Sequence, residues 1–396
     1  LQPIEYLSTS GQMEESVALK IAQVIDDTLD STDGVQQVVV ATGKWLTAQG
    51  HDVHYIASET SRTDIPHIHS MARNIRLKFN GNRLGMSLPA DRRAIAELLR
   101  REDFDVVHIQ VPYSPFLSGR LIEALPDQTA LIGTYTILPL SRVARFGGEV
   151  LGRVQRGTIA RFDEFLGASE PAAAYSESVL GRYTIPVGNP VDGAVFNAAR
   201  DAALARPHKG GPVHVLFLGR LVERKGAGAL LEAAARARSF TAQAFQVEIA
   251  GKGPLLEHYR RRVHDLGIAD IVTFSGFISE EAKPRLLASA DIIALPALGG
   301  ESFGISLVEA FAAGTGAVLG GNNEGYSSVA GPLSECLIDP TNTEEFARRI
   351  VELIENPQER AQMSARQVER ARNFSPDVVG QRILASYHRA IRARRG

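Results

Sequence analysis

The chain has 396 residues, 44% of them hydrophobic, with 43 lysines and arginines against 45 aspartates and glutamates. A net charge of -2 excludes a protein whose main business is an electrostatic grip on nucleic acid. One cysteine, Cys336, excludes a disulfide framework and a thiolate zinc cluster and favours a reducing compartment.

Residues 1–17 are polar, carry Glu5, Glu14 and Glu15, and lack the basic-then-apolar pattern of a signal peptide. They read as an extension, and the protein is expected to be cytoplasmic. Apolar runs at 18–25, 53–57, 106–109, 130–133 and 165–168 predict strands. Between the first two, an amphipathic stretch runs from Asp33-Gly34 through Trp45 to Gly50. The run 91–101 predicts a helix with Ile95, Leu98 and Leu99 on one face. Strands alternating with helices predict a parallel, doubly wound sheet.

Residues 186–213, rich in proline and glycine (Pro186, Gly188, Pro190, Pro207, Gly210, Gly211, Pro212), predict a linker. The pattern then restarts, with strands at 213–218, 246–250, 271–274, 292–295 and 317–319. Helices are expected at 227–237, 255–266 and 305–312, and three more close the chain at 343–355, 358–372 and 376–393. No apolar run reaches the roughly 18 residues of a membrane span; the longest, 305–321, is interrupted by Glu309. The expected fold is α/β: two Rossmann-like domains, 18–190 and 191–375, with parallel sheets facing across a cleft. In such sheets ligands bind outside the carboxyl ends of the strands.

The richest chemistry lies in the second half. Gly219-Arg220 follows a strand and Lys225-Gly226 opens the next helix; two cations beside the free amides of a helix N-terminus suit a diphosphate. Gly251-Lys252-Gly253 is a second glycine turn after a strand. The run from Gly299-Gly300 through Glu301, Ser302, Phe303, Gly304 and Ile305 to Glu309 turns the chain sharply into a helix. Phe303, Leu307 and Phe311, four apart, form its buried stripe, whereas Glu301 stands before the helix where it can meet ligand hydroxyls. Plainer readings make Glu309 a surface carboxylate and Glu301 a capping group. A glycosidase would pair them as acid and nucleophile, but nothing in the sequence fixes their separation.

A glycine-rich turn, a glutamate, seven residues and a second glutamate resemble the donor-site signature of the retaining family-four glycosyltransferases of GT-B fold. With Gly219-Arg220, Lys225-Gly226, Gly251-Lys252-Gly253 and Ala290-Asp291, the resemblance runs from about residue 18 to the C-terminus. The phosphatidylinositol mannosyltransferase branch is echoed by Asn80-Gly81, by 103–109, by Pro112 to Pro115 and by 298–305.

The resemblance implies that Arg220 and Lys225 hold the donor diphosphate and neutralise the leaving group. It implies that Glu309 binds ribose hydroxyls and that Glu301 with the amides of Ser302, Phe303, Gly304 and Ile305 holds the transferred sugar. Ile278 would touch the base with Glu280 and Lys283 nearby, Gly251-Lys252 would border the donor, and Gly34 would approach its phosphates across the cleft. It further implies a nucleotide-sugar co-substrate (a GDP-sugar favoured over a UDP-sugar), a lipid or glycan acceptor, no metal, and a C-terminal helix over 376–396 that packs back on the first domain. Motifs of a sugar-nucleotide epimerase of this fold are not evident.

The chain departs from the family in its first half. The family's Gly-Thr-Phe-His-like strand end reads Gly133-Thr134-Tyr135-Thr136, with Thr136 in the histidine's place; threonine cannot titrate near neutrality. The common His-x-His-Glu-Pro reads His108-Ile109-Gln110-Val111-Pro112, the first-loop glycine pair reads Asp33-Gly34, and Gly316 stands where proline is usual. A nucleotide-sugar-binding protein without transfer is therefore an alternative to a transferase.

Arg73, Arg76, Lys78, Arg83, Arg92, Arg93, Arg100 and Arg101 make residues 71–101 basic. Beside an amphipathic helix they are expected to dock, through Arg92, Arg93, Arg100 and Arg101, on an anionic membrane at the inner face of the cell membrane. Asp103-Phe104-Asp105 mimics a metal-binding Asp-x-Asp, but it precedes a strand and reads as structural. His67 and His69 have no third ligand close in sequence and read as loop. Cys336 reads as a packed core residue.

Overall fold

A computed structural model of the chain describes residues 18–31, 33–79, 82–111, 115–139, 155–205 and 210–395. The 1–17 extension, Asn80-Gly81, Pro112 and Pro207 lie outside the described residues. The first domain runs β1 (Lys20–Val24), α1 (Gly34–Ala48), β2 (Asp52–Ala57), β3 (Ile68–Ser70), β4 (Asn74–Phe79), β5 (Asn82–Ser87), α2 (Arg92–Glu102), β6 (Val106–Val111) and α3 (Ser118–Ala124). It continues with β7 (Ala130–Tyr135), α4 (Arg156–Ile159), β8 (Glu164–Gly167), α5 (Glu170–Leu180) and β9 (Thr184–Pro186). Its parallel sheet has the order β3-β2-β1-β6-β7-β8-β9, with β4 and β5 a separate antiparallel pair.

The second domain follows as α6 (Ala194–Leu204), β10 (Val213–Leu218), α7 (Ala227–Ala237), β11 (Phe245–Ala250), α8 (Leu256–Asp265), β12 (Val272–Gly276), α9 (Lys283–Leu287) and β13 (Ile292–Leu295). Then come α10 (Ile305–Ala313), β14 (Ala317–Gly321), α11 (Glu324–Ala330), β15 (Leu337–Ile338), α12 (Thr343–Glu355), α13 (Pro357–Ala371) and α14 (Pro376–Arg395). Its sheet, also parallel, has the order β12-β11-β10-β13-β14-β15. Helices cover both faces of each sheet, so most strands read as continuous apolar runs, whereas β11 and β12 towards one edge of the second sheet alternate. One core cluster fills the second domain, and two clusters fill the faces of the first sheet.

The linker expected over 186–213 is not all irregular. Ala194–Leu204 is helical, with Asp192 Oδ1 accepting from the Ala194 amide at 3.0 Å and Phe196 buried. Alanines at five of its eleven positions carry enough propensity to form a helix between the turn residues on either side. The strands β4 and β5 are absent from the sequence expectation, and His69, read as loop, lies in the edge strand β3. Gly316 has a local reason: a Cβ there would lie 2.4 Å or less from the carbonyl oxygens of Ala290 and Asp291, which leaves no room for a proline.

The C-terminal helix α14 lies on the first domain. Gly380 lets it sit flat on Trp45, whose ring would be 2.4 Å from any Cβ there, and the Trp45 indole N–H donates to Asp377 at 2.8 Å. Deeper in, the Tyr387 hydroxyl accepts from Gln23 Nε2 at 2.9 Å and lies 2.7 Å from His108 Nδ1. His108 Nε2 in turn is 2.6 Å from Thr134 Oγ1. Burial pushes the His108 imidazole down to about 3, so it is a neutral core group. Arg389–Glu164, Arg394–Asp163 and Arg395–Asp105 pin the end of the helix. Asp105 also accepts from the Lys20 amide at 2.9 Å, and Asp103 closes α2 at φ 45°; the Asp-x-Asp is structural.

Tyr387→Phe leaves Gln23 and His108 without their shared partner in a dry interface. It should lower the unfolding free energy by about 1–3 kcal/mol in a urea titration; an unchanged midpoint would remove the hydroxyl from this account.

Candidate functional site

In the second sheet the strand order reverses between β10 and β13. The loops that follow these two strands, 219–226 and 296–304, therefore splay apart at the carboxyl edge and form a crevice. Gly226, at φ 77°, closes the first loop; a Cβ there would fall 1.9 Å from the Pro296 carbonyl oxygen, so the two loops touch through a glycine. Gly304, at φ 108°, ends the second loop against the Tyr326 ring, 2.5 Å from a would-be Cβ, and lets α10 start at Ile305. Tyr326 is buried, and no sequence motif marked it.

Glu301 lies at the centre of this crevice. Its Oε1 is 2.7 Å from Arg224 Nη1 and 2.8 Å from Lys225 Nζ. Burial alone would raise the carboxyl, but Lys225 and Arg224 outweigh it and hold Glu301 below the ordinary glutamate range. A carboxylate held ionised by two cations is no general acid, which removes the glycosidase pairing. Arg224 escaped the sequence reading because its neighbour Lys225 already filled the expected cationic role. Its only signal was a second cation in Glu223-Arg224-Lys225.

Glu309 is 6% exposed rather than a surface carboxylate. Its Oε1 is 2.7 Å from Lys283 Nζ, which also lies 2.5 Å from Glu280 Oε2. Burial works against the Lys283 ammonium, yet Glu309 and Glu280 more than offset this and raise its pKa. Lys283, Glu280 and Glu309 thus form one cluster. Ile278 is half-buried against the core, and Lys252 is exposed with Nζ 4.3 Å from the Phe277 ring centre. Gly251 is needed where it stands, since a Cβ would lie 1.8 Å from the Gly219 carbonyl oxygen. Arg220 is exposed just past β10. Phe303 is buried edge-on against Phe374, so only its backbone is available to a ligand.

The first domain supplies the opposite wall. A cavity of about 660 Å³ is lined by Arg224, Glu301, Gly300 and Asn323 on one side and by Leu138 and Pro139 on the other. Thr136 stands just before these two, at the carboxyl end of β7, where its amide bonds the Val111 carbonyl at 3.4 Å. Gly34 is the first residue of α1, and a Cβ on it would be 3.1 Å from Ile305 Cδ1, the first residue of α10. Two helix N-termini therefore meet across the cleft, each bringing unpaired amides and the positive end of a helix dipole. The Ser169 hydroxyl donates to the Ser302 carbonyl at 2.5 Å and links the domains beside them.

The profile "Glycosyltransferase Family 4" matches residues 32–192 and "Glycosyl transferases group 1" matches residues 203–372. The phosphatidyl-myo-inositol mannosyltransferase of Mycolicibacterium smegmatis is 29% identical over 381 residues, 93% of each chain. The chain belongs to the family-four glycosyltransferases. A GDP-mannose-dependent alpha-(1-6)-phosphatidylinositol monomannoside mannosyltransferase of Mycobacterium tuberculosis is 30% identical over 228 residues, 56% of this chain and 57% of its own. Among solved structures, sucrose-phosphate synthase of Thermosynechococcus elongatus superposes with a TM-score of 0.72 at 19% identity, covering 95% of this chain and 100% of its own. The shared architecture is the GT-B fold.

For a glycosyltransferase site built this way, the Glu301 clamp carries a pH signature. Because its carboxyl is lowered in the folded state, its contribution is complete above the unfolded value of about 4.3 and is lost as pH falls through the folded value. Glu301→Gln should therefore destabilise the protein at pH 7 and progressively less towards pH 3 in urea titrations. A loss that is constant with pH would contradict the ionised clamp.

Proposed function

We propose that this glycosyltransferase moves mannose from a GDP-sugar to a lipid acceptor, retaining the anomeric configuration and using no metal ion for the transfer. The observation that carries the reading is the pair of cations, Arg224 and Lys225, held at the switch point opposite the facing N-termini of α1 and α10. That arrangement suits a diphosphate. The names of the mannosyltransferase relatives support mannose, the lipid and GDP.

In the proposed reaction the bond between the anomeric carbon and the diphosphate oxygen breaks while the acceptor oxygen bonds on the same face. The acceptor's proton passes to the leaving phosphate oxygen, so no titrating side chain is required where Thr136 replaces histidine. Arg220, Lys225 and Arg224 neutralise the charge that develops on the diphosphate. The amides of Gly34 and of 302–305 complete its cradle, with Gly251-Lys252 at the border. Glu309 takes the ribose hydroxyls, with Lys283 and Glu280 beside it and Ile278 against the base. Glu301 holds the sugar hydroxyls and aims the cations. Closure of the two domains would keep water from the donor.

The acceptor lipid would be met at an anionic membrane surface on the cytoplasmic side. Helix α2 buries Ile95, Leu98 and Leu99 and exposes Arg92, Arg93, Arg100 and Arg101. Arg92 is paired with Glu123 and Arg101 with Glu102, contacts weak enough at an exposed surface to yield to lipid phosphates. Among the described residues no helix is long and apolar enough to cross a membrane. A second reading, a protein that binds a nucleotide sugar without transferring it, rests on Thr136.

Calorimetry should find GDP binding more tightly than UDP, with donor consumed only when lipid extract is added; binding without consumption in any extract favours the second reading. Lys225→Ala should cut transfer by about 100-fold or more, and Glu309→Ala should raise the donor KM more than it lowers kcat. Wild-type rates in both variants would overturn the donor-site assignment. Binding to phosphatidylserine vesicles should weaken with salt and with Arg92→Glu plus Arg93→Glu; unchanged binding would remove the membrane from the proposal.

A further inference from the structure

The first sheet has a second concentration of chemistry, at its amino edge. Asp52 and His54 stand two apart at the start of β2 and so share a face, and β3 brings His67 and His69 alongside. One carboxylate oxygen, Asp52 Oδ1, lies 3.2 Å from His54 Nε2 and 3.1 Å from His67 Nδ1. Ligand atoms about 2.1 Å from a tetrahedral zinc ion are about 3.4 Å from one another, so these spacings need only small adjustments to accept one. His67 is held in this place by the backbone: its φ is 54°, in the left-handed region, and its carbonyl accepts from the Tyr55 amide at 2.9 Å.

The surroundings of His54 match those of a metal ligand. Its other ring nitrogen, Nδ1, lies 2.9 Å from His69 Nε2, the kind of outer partner that fixes the tautomer and ring orientation of a ligating histidine. Phe104 packs edge-on against the ring, with centres 5.2 Å apart. Glu102 approaches His54 Nε2 at 3.9 Å but is engaged by Lys20 at 2.8 Å and Arg101 at 2.7 Å. Lys20 Nζ also lies 3.7 Å from Asp52 Oδ2, leaving Oδ1 to the two imidazoles.

We propose that Asp52, His54 and His67 form a binding site for a divalent transition-metal ion of the zinc class, with His69 as the outer support of His54 and water completing the coordination. Two imidazoles and a carboxylate suit zinc and its neighbours and discriminate against magnesium. The site lies where β1, β2 and β3 begin, whereas the transfer cleft lies where strands end. Its role is to tie the three-residue edge strand β3 to β2, and no step of the transfer passes through it.

The test is a titration of the tag-free full chain with Zn²⁺ against a chromophoric chelator at pH 7.5. One equivalent should bind with a Kd of about 1 μM or below, and Mg²⁺ should not compete. His69→Ala should weaken binding by about 10–100-fold, as loss of an outer partner does, and His67→Ala by at least as much again. His67 is exposed, so its variant should fold with the wild-type circular dichroism spectrum, and His214→Ala, outside the cluster, should bind as wild type. Zinc should raise the Tm of the wild type by about 5 °C and leave that of His67→Ala unchanged. Absence of stoichiometric zinc, or equal binding by His67→Ala, would overturn the proposal.

Discussion

The two domains are joined at a place where the chain crosses between them twice. On the way out it passes Gly188 to Val191, and on the way back Phe374; the Val191 amide donates to the Phe374 carbonyl at 2.8 Å. The Phe374 ring lies edge-on to Phe303, a buried residue of the loop that carries Glu301. Gly188, at φ 84°, turns beneath the same ring, where a Cβ would be 3.4 Å from it. The crossing and the ligand loop are therefore one packed unit, and the angle at which the sheets face each other is tied to the position of Glu301. Beyond it, α14 is committed to the first domain by the Tyr387 network and by three ion pairs near its end. The second crossing works as a joint only because the helix after it is anchored.

Electrostatically, the site consists of buried carboxylates that hold cations in place. Taking a carboxylate and an ammonium out of water is costly, and their attraction only partly offsets that cost. Such pairs add little stability for what they demand, but they fix geometry. Glu301 aligns Arg224 and Lys225, and Glu309 with Glu280 aligns Lys283. An anion entering the crevice meets cations already oriented, so little further ordering is needed when it binds.

What could be read from the sequence divides along the range of the forces involved. Strand β10 and helices α7 and α12 have the predicted ends, because both-face burial and a 3.6-residue period are local patterns. Helix α6 was hidden by the prolines and glycines around it. The burial of Glu309 was in principle legible: Ile305–Ala313 is apolar on every side, and a helix apolar all round is buried. Its partner was not, since Lys283 opens a different helix, α9, 26 residues away. The same holds for His54, whose link to His67 and His69 depends on the register of β2 against β3. Local pattern gives elements; pairing between elements gives the charges their meaning.

The altered first half fits this division. His108 lies mid-strand beneath α14 and is neutral, bonded on both nitrogens and shut off from the cleft, so the histidine that survives from the family motif serves packing. Thr136 stands just past the carboxyl end of β7, where its amide bonds the Val111 carbonyl. A parallel sheet separates its two edges by the length of its strands, and this one uses them differently. Its carboxyl edge offers amides, the threonine and, just past β1, Asp26 and Asp27, which accept from the Ser118 amide and the Asn74 side chain. Its amino edge gathers three imidazoles and two carboxylates around the short edge strand β3, which pairs with β2 through three residues. A strand that short gains little from its own ladder, so side-chain links across β2 and β3 are what can hold it in register.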